Sequence, residues 1–164
     1  MTILHIVRGP SGCGKTTFAK TFITEWEQWE EGSPPVIIAA DDFFTSKDGT
    51  YEFDPRLLSR AHTECITNTM IEMHMERDIV ITNTFANRWE YNPYVWLAKT
   101  GGVECIIYEP DIMHDPFDGM IERMEKRGTH DVPLETIANQ VENFHFAEPW
   151  KLVSEVKIYE TGLL

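Results

Sequence analysis

The sequence predicts an α/β fold, a mainly parallel sheet covered by helices on both faces. Three observations predict it. A glycine-rich turn, Gly9-Pro10-Ser11-Gly12-Cys13-Gly14-Lys15-Thr16, joins an apolar run to an amphipathic helix. Four further short apolar runs follow, separated by longer helical segments. No repeat, low-complexity segment or interdomain linker breaks the pattern, so the 164 residues read as one domain with a sizeable core. Continuous apolar strands alternating with helices are what a sheet buried on both faces requires.

The first strand is expected over 3–7 (ILHIV) and the first helix over 16–30, where Phe18, Phe22, Trp26 and Trp29 make a packing stripe at spacings of three and four. Pro34-Pro35 closes the next connection and opens a second strand over 35–40 (PVIIAA). A helix over 55–76 follows, with Leu57, Leu58, Ala61, Cys65, Met70 and Met73 as its packing face. The third strand is 78–84 (DIVITNT), followed by a helix over 88–100 that Gly101-Gly102 stops. The fourth strand is 103–108 (VECIIY), then helices over 115–127 and 134–147, and the fifth strand is 155–159 (EVKIY).

Composition excludes several classes. No charged n-region precedes an apolar run, and no apolar stretch is long enough to span a bilayer, so neither a signal peptide nor a membrane partner is expected. Cys13, Cys65 and Cys105 lack metal or redox spacing and read as free thiols of a reducing cytoplasm. Cys13, at a helix start, is either reactive or simply a small residue in a turn, and the turn role is the simpler expectation. The net charge of −13 argues against broad nonspecific binding to nucleic acid but leaves room for a local basic groove. Glu25, Glu27, Glu30 and Glu31 form an acidic patch at a solvated helix end, and Arg123, Lys126 and Arg127 cluster against the overall sign. The histidines show no zinc spacing and are read as structural, with His130 set apart by its place in the 120–133 segment.

The glycine-rich run fits G-x-x-x-x-G-K-[ST] at every fixed position, in the strand–turn–helix context that a phosphate loop needs. Glycines let backbone N–H groups turn toward phosphate oxygens, and the helix start adds partial positive charge. Gly9, Ser11, Gly12, Cys13, Gly14, Lys15, Thr16 and Thr17 are the expected ATP contacts, with Lys15 reaching the β- and γ-phosphates and the Thr16 hydroxyl on Mg²⁺.

In open α/β sheets ligands sit beyond the carboxyl ends of the strands. The second strand ends in Asp41-Asp42, which suits an acid/base pair, one taking a proton from an attacking hydroxyl and the other on the metal side. Capping or turn formation by either aspartate is the alternative. The third strand ends Thr82-Asn83-Thr84 with no acid, so Asn83 is a candidate for the acceptor or metal-bound water, and Asp42 a candidate metal ligand. The segment 120–133 (MIERMEKRGTHDVP) is a basic helix, a Gly128 hinge and a second helix start, either a lid over triphosphate or cations placed at a helix C-terminus.

Asp41-Asp42-Phe43-Phe44, Tyr51-Glu52-Phe53, Ala61-His62 and Lys126-Arg127-Gly128-Thr129 with Val132-Pro133 resemble the polynucleotide kinase family of phosphate-loop kinases, including bacteriophage 5′-kinase domains and the kinase-like domain of NEDD4-binding protein 2. The resemblance runs from residue 3 to about 146. It implies a single three-layer P-loop kinase domain over 1–164, strand order 2-3-1-4-5, and a helical lid near 120–133. It implies Mg²⁺-dependent transfer of the ATP γ-phosphoryl group to a nucleic-acid hydroxyl, DNA ahead of RNA, in the cytoplasm (that of the host for a phage protein). Asp41 would be the general base, and Arg127, with Arg123, would clamp the donor. Two departures from the family pattern lie on the acceptor side, Phe44 in place of an arginine and Phe85 in place of a polar residue. An aromatic pair there suits a base pocket, as in the similar phage kinases that phosphorylate 5-hydroxymethyluracil in DNA. A small-metabolite or nucleoside kinase and a nucleotide-binding module without turnover are the alternatives.

Overall fold

A computed structural model describes residues 2–29, 33–149 and 152–164. The side chains of Glu27 and Trp29, and residues Glu30 and Glu31, fall outside the described ones.

Strand β1 (Ile3–Arg8) leads through the glycine-rich loop into helix α1 (Lys15–Trp29). Strand β2 (Val36–Ile38) runs into a 3₁₀ turn, Ala40–Phe44. A second 3₁₀ turn, Pro55–Leu57, opens helix α2 (Leu58–His74). Strand β3 (Ile79–Asn83), helix α3 (Arg88–Gly101) and strand β4 (Glu104–Pro110) follow. Helices α4 (Asp111–His114), α5 (Met120–Arg127) and α6 (Leu134–Glu142) precede strand β5 (Glu155–Tyr159).

The sheet has order β2-β3-β1-β4-β5, as the resemblance implied. Its pairings are parallel throughout rather than mainly so, because helices carry the chain between the strands. Alternation along β1 splits the interior into two layers. Leu4 and Ile6 pack with Ala61 and Cys65 of α2 and with Tyr91, Tyr94 and Val95 of α3. Val7 packs with Ala19 of α1, Met120 and Met124 of α5 and Ile137 of α6. These layers put the glycine-rich loop, the turn after β2 and the α5–α6 pair at the carboxyl edge of the sheet. Among the described residues no helix is long and apolar enough to cross a membrane.

Several elements differ from their expected bounds for physical reasons. The buried face of α2 is Ala61, Cys65 and Thr69, while Leu57, Leu58 and Met70 are exposed. Thr69 is accepted inside because its hydroxyl donates to the Cys65 carbonyl at 2.9 Å. Strand β4 extends past Tyr108 through Glu109, a charged residue that is fully buried because Arg8 pairs with it. Helix α5 begins only at Met120, after Gly119 with φ 82°. Helix α6 stops at Glu142 because the chain over 144–147 turns back to the buried Arg8, where Phe144 lies over the guanidinium.

His5 of β1 is buried between Phe22 and Tyr108, with Nδ1 3.0 Å from the Tyr108 hydroxyl. Burial pushes its imidazole down to about 4, with Asp78 acting upward and Lys157 downward. The folded value lies below the ordinary 6.5, so His5's contribution is complete above that value and is lost as pH falls toward about 4. Stability should drop by up to about 3 kcal/mol across that window. His5→Phe should flatten the slope, which melting at a series of pH values reads directly.

Candidate active site

The glycine-rich loop joins β1 to α1 through glycines of positive φ. Gly12 and Gly14 have φ of 78° and 104°, the left-handed region that side chains rarely adopt. Space is tight there as well. A Cβ on Gly12 would run into the backbone carbonyl of Met124 on α5, and one on Gly14 would lie 3.3 Å from Arg127 Nη2. The α5 segment therefore sits on the loop, and its buried Met120 and Met124 anchor it there. Gly12→Ala is expected to lift α5 from the loop, costing about 1–3 kcal/mol of stability and weakening ATP binding. A melt and an ATP titration check both.

Several of the loop's donors are engaged within the protein. The Ser11 N–H already donates to Gln140 Oε1 of α6 at 2.7 Å. Lys15 Nζ folds back over the loop and donates to the carbonyls of Gly9 at 2.9 Å and Pro10 at 3.0 Å. Thr16 and Thr17 are exposed on the first turn of α1. Cys13 takes the turn role: it is buried, with Sγ 3.2 Å from the Tyr159 hydroxyl.

Arg123 and Arg127 of α5 are held by the segment after β5. Arg127 Nη1 donates to the Thr161 carbonyl at 2.5 Å, and Arg123 Nη1 to the Leu163 carbonyl at 2.7 Å. Thr161 is itself fixed, its hydroxyl donating to Asp111 Oδ1 at 2.6 Å. Gln140, Thr161 and Leu163 were not singled out from the sequence. The signal for Thr161 was available, since it follows a strand at the ligand end of the sheet.

On the other side, Asp41 is exposed on the 3₁₀ turn after β2. Its Oδ1 accepts from the Tyr51 hydroxyl at 3.3 Å. Asp42 takes the capping alternative: its Oδ2 accepts the Ala39 N–H at 2.8 Å. Burial raises the Asp42 carboxyl, the Ala39 N–H works against that, and the Asp41 charge adds to it. Its free side lines a shallow cleft with Asn68 and Glu72 along the edge strand β2.

Three expected acceptor contacts are corrected. Asn83 is buried and braces the turn instead, its Oδ1 accepting the Ala40 N–H at 2.8 Å while its Nδ2 donates to Cys65 Sγ at 3.5 Å. Phe44 and Phe85 are 6% and 2% exposed and belong to the core, so neither ring has a free face for a base. Phe85 packs on Tyr91 and Tyr94, and Phe44 on Phe43, Tyr51 and Phe53. Phe85 also carries φ of 44°, a costly conformation for an aromatic residue, which turns its carbonyl to accept Arg8 Nε at 2.8 Å. The base-pocket reading loses its motivating residues.

Among the described residues no cluster of three or more His, Cys, Asp or Glu side chains could hold a metal by itself. The Thr16 hydroxyl lies on the first turn of α1, exposed to solvent.

The human NEDD4-binding protein 2 is 30% identical over 144 residues, covering 87% of this chain, and the chain spans about 8% of that protein's length. A sugar kinase from Janibacter sp. HTCC2649 superposes with a TM-score of 0.63 at 18% identity, over 99% of this chain and 87% of its own. A chain of the Pnkp1/Rnl/Hen1 RNA repair complex superposes with a TM-score of 0.61 at 20% identity, over 87% of this chain and 43% of its own. The kinase superposition, the strand order and the glycine-rich loop give the chain the P-loop kinase fold. The AAA domain family model matches residues 4–147, nearly the whole sequence, and the chain belongs to that family.

Proposed function

We propose that this protein transfers the γ-phosphoryl group of ATP to a hydroxyl of a nucleic acid. The observation that carries the phosphotransfer reading is the lid arginine Arg127 seated against Gly14 of the phosphate loop, with the exposed Asp41 carboxylate beyond β2 on the same edge of the sheet. The acceptor O–H gives its proton to Asp41, a bond forms from the acceptor oxygen to the γ-phosphorus, and the bond from that phosphorus to the β-bridging oxygen breaks to release ADP. Loop N–H groups and Lys15 hold the β- and γ-phosphates, and Arg127, with Arg123, meets the charge developing on the transferred group. Thr16, whose hydroxyl stands at the start of α1, would hold Mg²⁺, and the ion would supply further charge neutralisation.

The likeness to NEDD4-binding protein 2 and to a chain of an RNA repair complex supports a nucleic-acid acceptor. A small-metabolite kinase is the second reading, favoured by the sugar-kinase superposition and the net charge of −13. Labelled ATP offered with 5′-hydroxyl DNA, 5′-hydroxyl RNA and a panel of sugars separates the two. Label on an oligonucleotide, with acceptor affinity falling steeply as salt rises, is expected, because contact with phosphates releases counterions. Label on sugars alone overturns the nucleic-acid acceptor, and no transfer to any acceptor overturns the kinase.

A further inference from the structure

The hairpin that follows the Asp41 turn is built to hold one tyrosine. Thr45 and Tyr51 form an antiparallel bridge, the Ser46 N–H donates to the Thr50 carbonyl at 2.9 Å, and the Glu52 N–H donates to the Phe44 carbonyl at 2.9 Å. The chain thus returns alongside the turn it has just left. Tyr51 leans on the buried Phe44, ring centroids 6.3 Å apart, and its hydroxyl reaches Asp41 Oδ1.

A face of that ring is taken by the lid loop. His130 stacks on Tyr51 with centroids 4.0 Å apart and planes 27° from parallel. His130 lies three residues beyond Arg127, whose guanidinium sits against Gly14. One short stretch of chain therefore touches the donor side at Arg127 and the acceptor side at His130.

We propose that Tyr51 is a positioning residue for Asp41, and that His130 of the lid loop clamps Tyr51, so that lid closure sets the donor arginine and the acceptor base together. The inference rests on the kinase reading above. Tyr51 donates a hydrogen bond to Oδ1, and Oδ2 is the oxygen left for the acceptor. Burial first, then the charge and hydrogen bond of Asp41, push the Tyr51 phenol up to about 12, so it stays protonated and remains a donor at neutral pH. A carboxylate alone on an exposed turn rotates freely, and a rotation of about 1 Å at a reacting atom is enough to cost a large factor in rate.

Tyr51→Phe removes the hydroxyl and keeps the ring on Phe44 and His130, His130→Ala removes the clamp, and His130→Phe keeps it. The three variants and the parent protein are assayed for label transfer from ATP to a 5′-hydroxyl DNA oligonucleotide, an RNA oligonucleotide and the sugar panel, with melting as a check on folding. On whichever acceptor the parent labels, Tyr51→Phe should lower kcat about tenfold while the KM for ATP stays within about twofold. His130→Ala should lower kcat by a similar factor and His130→Phe should restore most of it. His130→Ala added to Tyr51→Phe should cost less than it does alone, because both act through one contact. Parent-like kcat in Tyr51→Phe overturns the inference and leaves the kinase reading standing, as does an equal loss in His130→Phe and His130→Ala. A parent protein that labels no acceptor overturns both.

Discussion

Asp41→Asn is expected to slow phosphoryl transfer by about two to four orders of magnitude while leaving ATP binding intact. The amide has the carboxylate's size and still accepts the Tyr51 hydrogen bond, but it cannot take a proton from the attacking hydroxyl. Asp41 is exposed, and the turn that carries it is fixed by other groups, the Asn83 and Asp42 side chains on the N–H groups of Ala40 and Ala39. The substitution should therefore leave the melting temperature unchanged. Lys15→Ala is the contrasting case. Its Nζ is held by the carbonyls of Gly9 and Pro10 on the loop itself, so its loss should abolish turnover and weaken ATP binding together. Single-turnover transfer and ATP titration on both variants provide the check. An Asn variant that transfers at the parent rate, or that no longer binds ATP, removes Asp41 from the base role.

The contrast between these two residues tracks what could be read from the sequence. Lys15 belongs to a local motif whose geometry is set by neighbours in the chain, and the glycines at 12 and 14 adopt the positive φ that the motif requires. The five strands were legible for a similar reason, each being a short apolar run between helical segments. What was not legible depends on partners distant in sequence. Arg127 meets the Thr161 carbonyl 34 residues on, and nothing in the basic run 123–127 announces that contact. Asn83 was read by its place at a strand end, but its amide turns inward to Ala40 and Cys65 and serves the turn rather than a ligand. Phe44 and Phe85 were read against a family pattern as acceptor contacts, yet core packing claims both rings. A polar-to-aromatic change at a site edge has two outcomes, a stacking platform or a deeper core, and only burial distinguishes them. His130 shows the reverse. Its loop was singled out, and its partner Tyr51 lay in a matching segment, but the distance between them is a tertiary fact.

The least legible feature of all carries the second large effect. Glu109→Ala is expected to destabilise the fold by about 3–5 kcal/mol. Arg8 is fully buried at the end of β1, directly before the phosphate loop. Its guanidinium donates to Glu109 Oε1 at 2.5 Å and to the carbonyls of His145 at 2.9 Å and Ala86 at 2.8 Å, while Nε serves Phe85. Phe144 and Tyr91 cover it, with ring centroids 4.1 and 4.9 Å from the guanidinium carbon. Burial pulls the guanidinium downward from its ordinary value and Glu109 opposes that, so the carboxylate is what keeps the charge tolerable inside. Glu109 also accepts the Ala147 N–H at 2.6 Å and lies 3.2 Å from His114 Nε2. Removing it strands a buried cation and releases the 144–147 segment at once. The melting temperature should fall by roughly 10 °C, at about 2–4 °C per kcal/mol for a chain of this size. Arg8→Met combined with Glu109→Leu should recover only part of the loss, because the Phe85, Ala86 and His145 carbonyls would then lack their donor. Denaturant unfolding of Arg8→Met, of Glu109→Leu and of the double variant closes the cycle. A loss under about 1 kcal/mol in Glu109→Ala would mean that water reaches Arg8, and the phosphate loop would then be held by its glycines and the lid rather than by this ion pair.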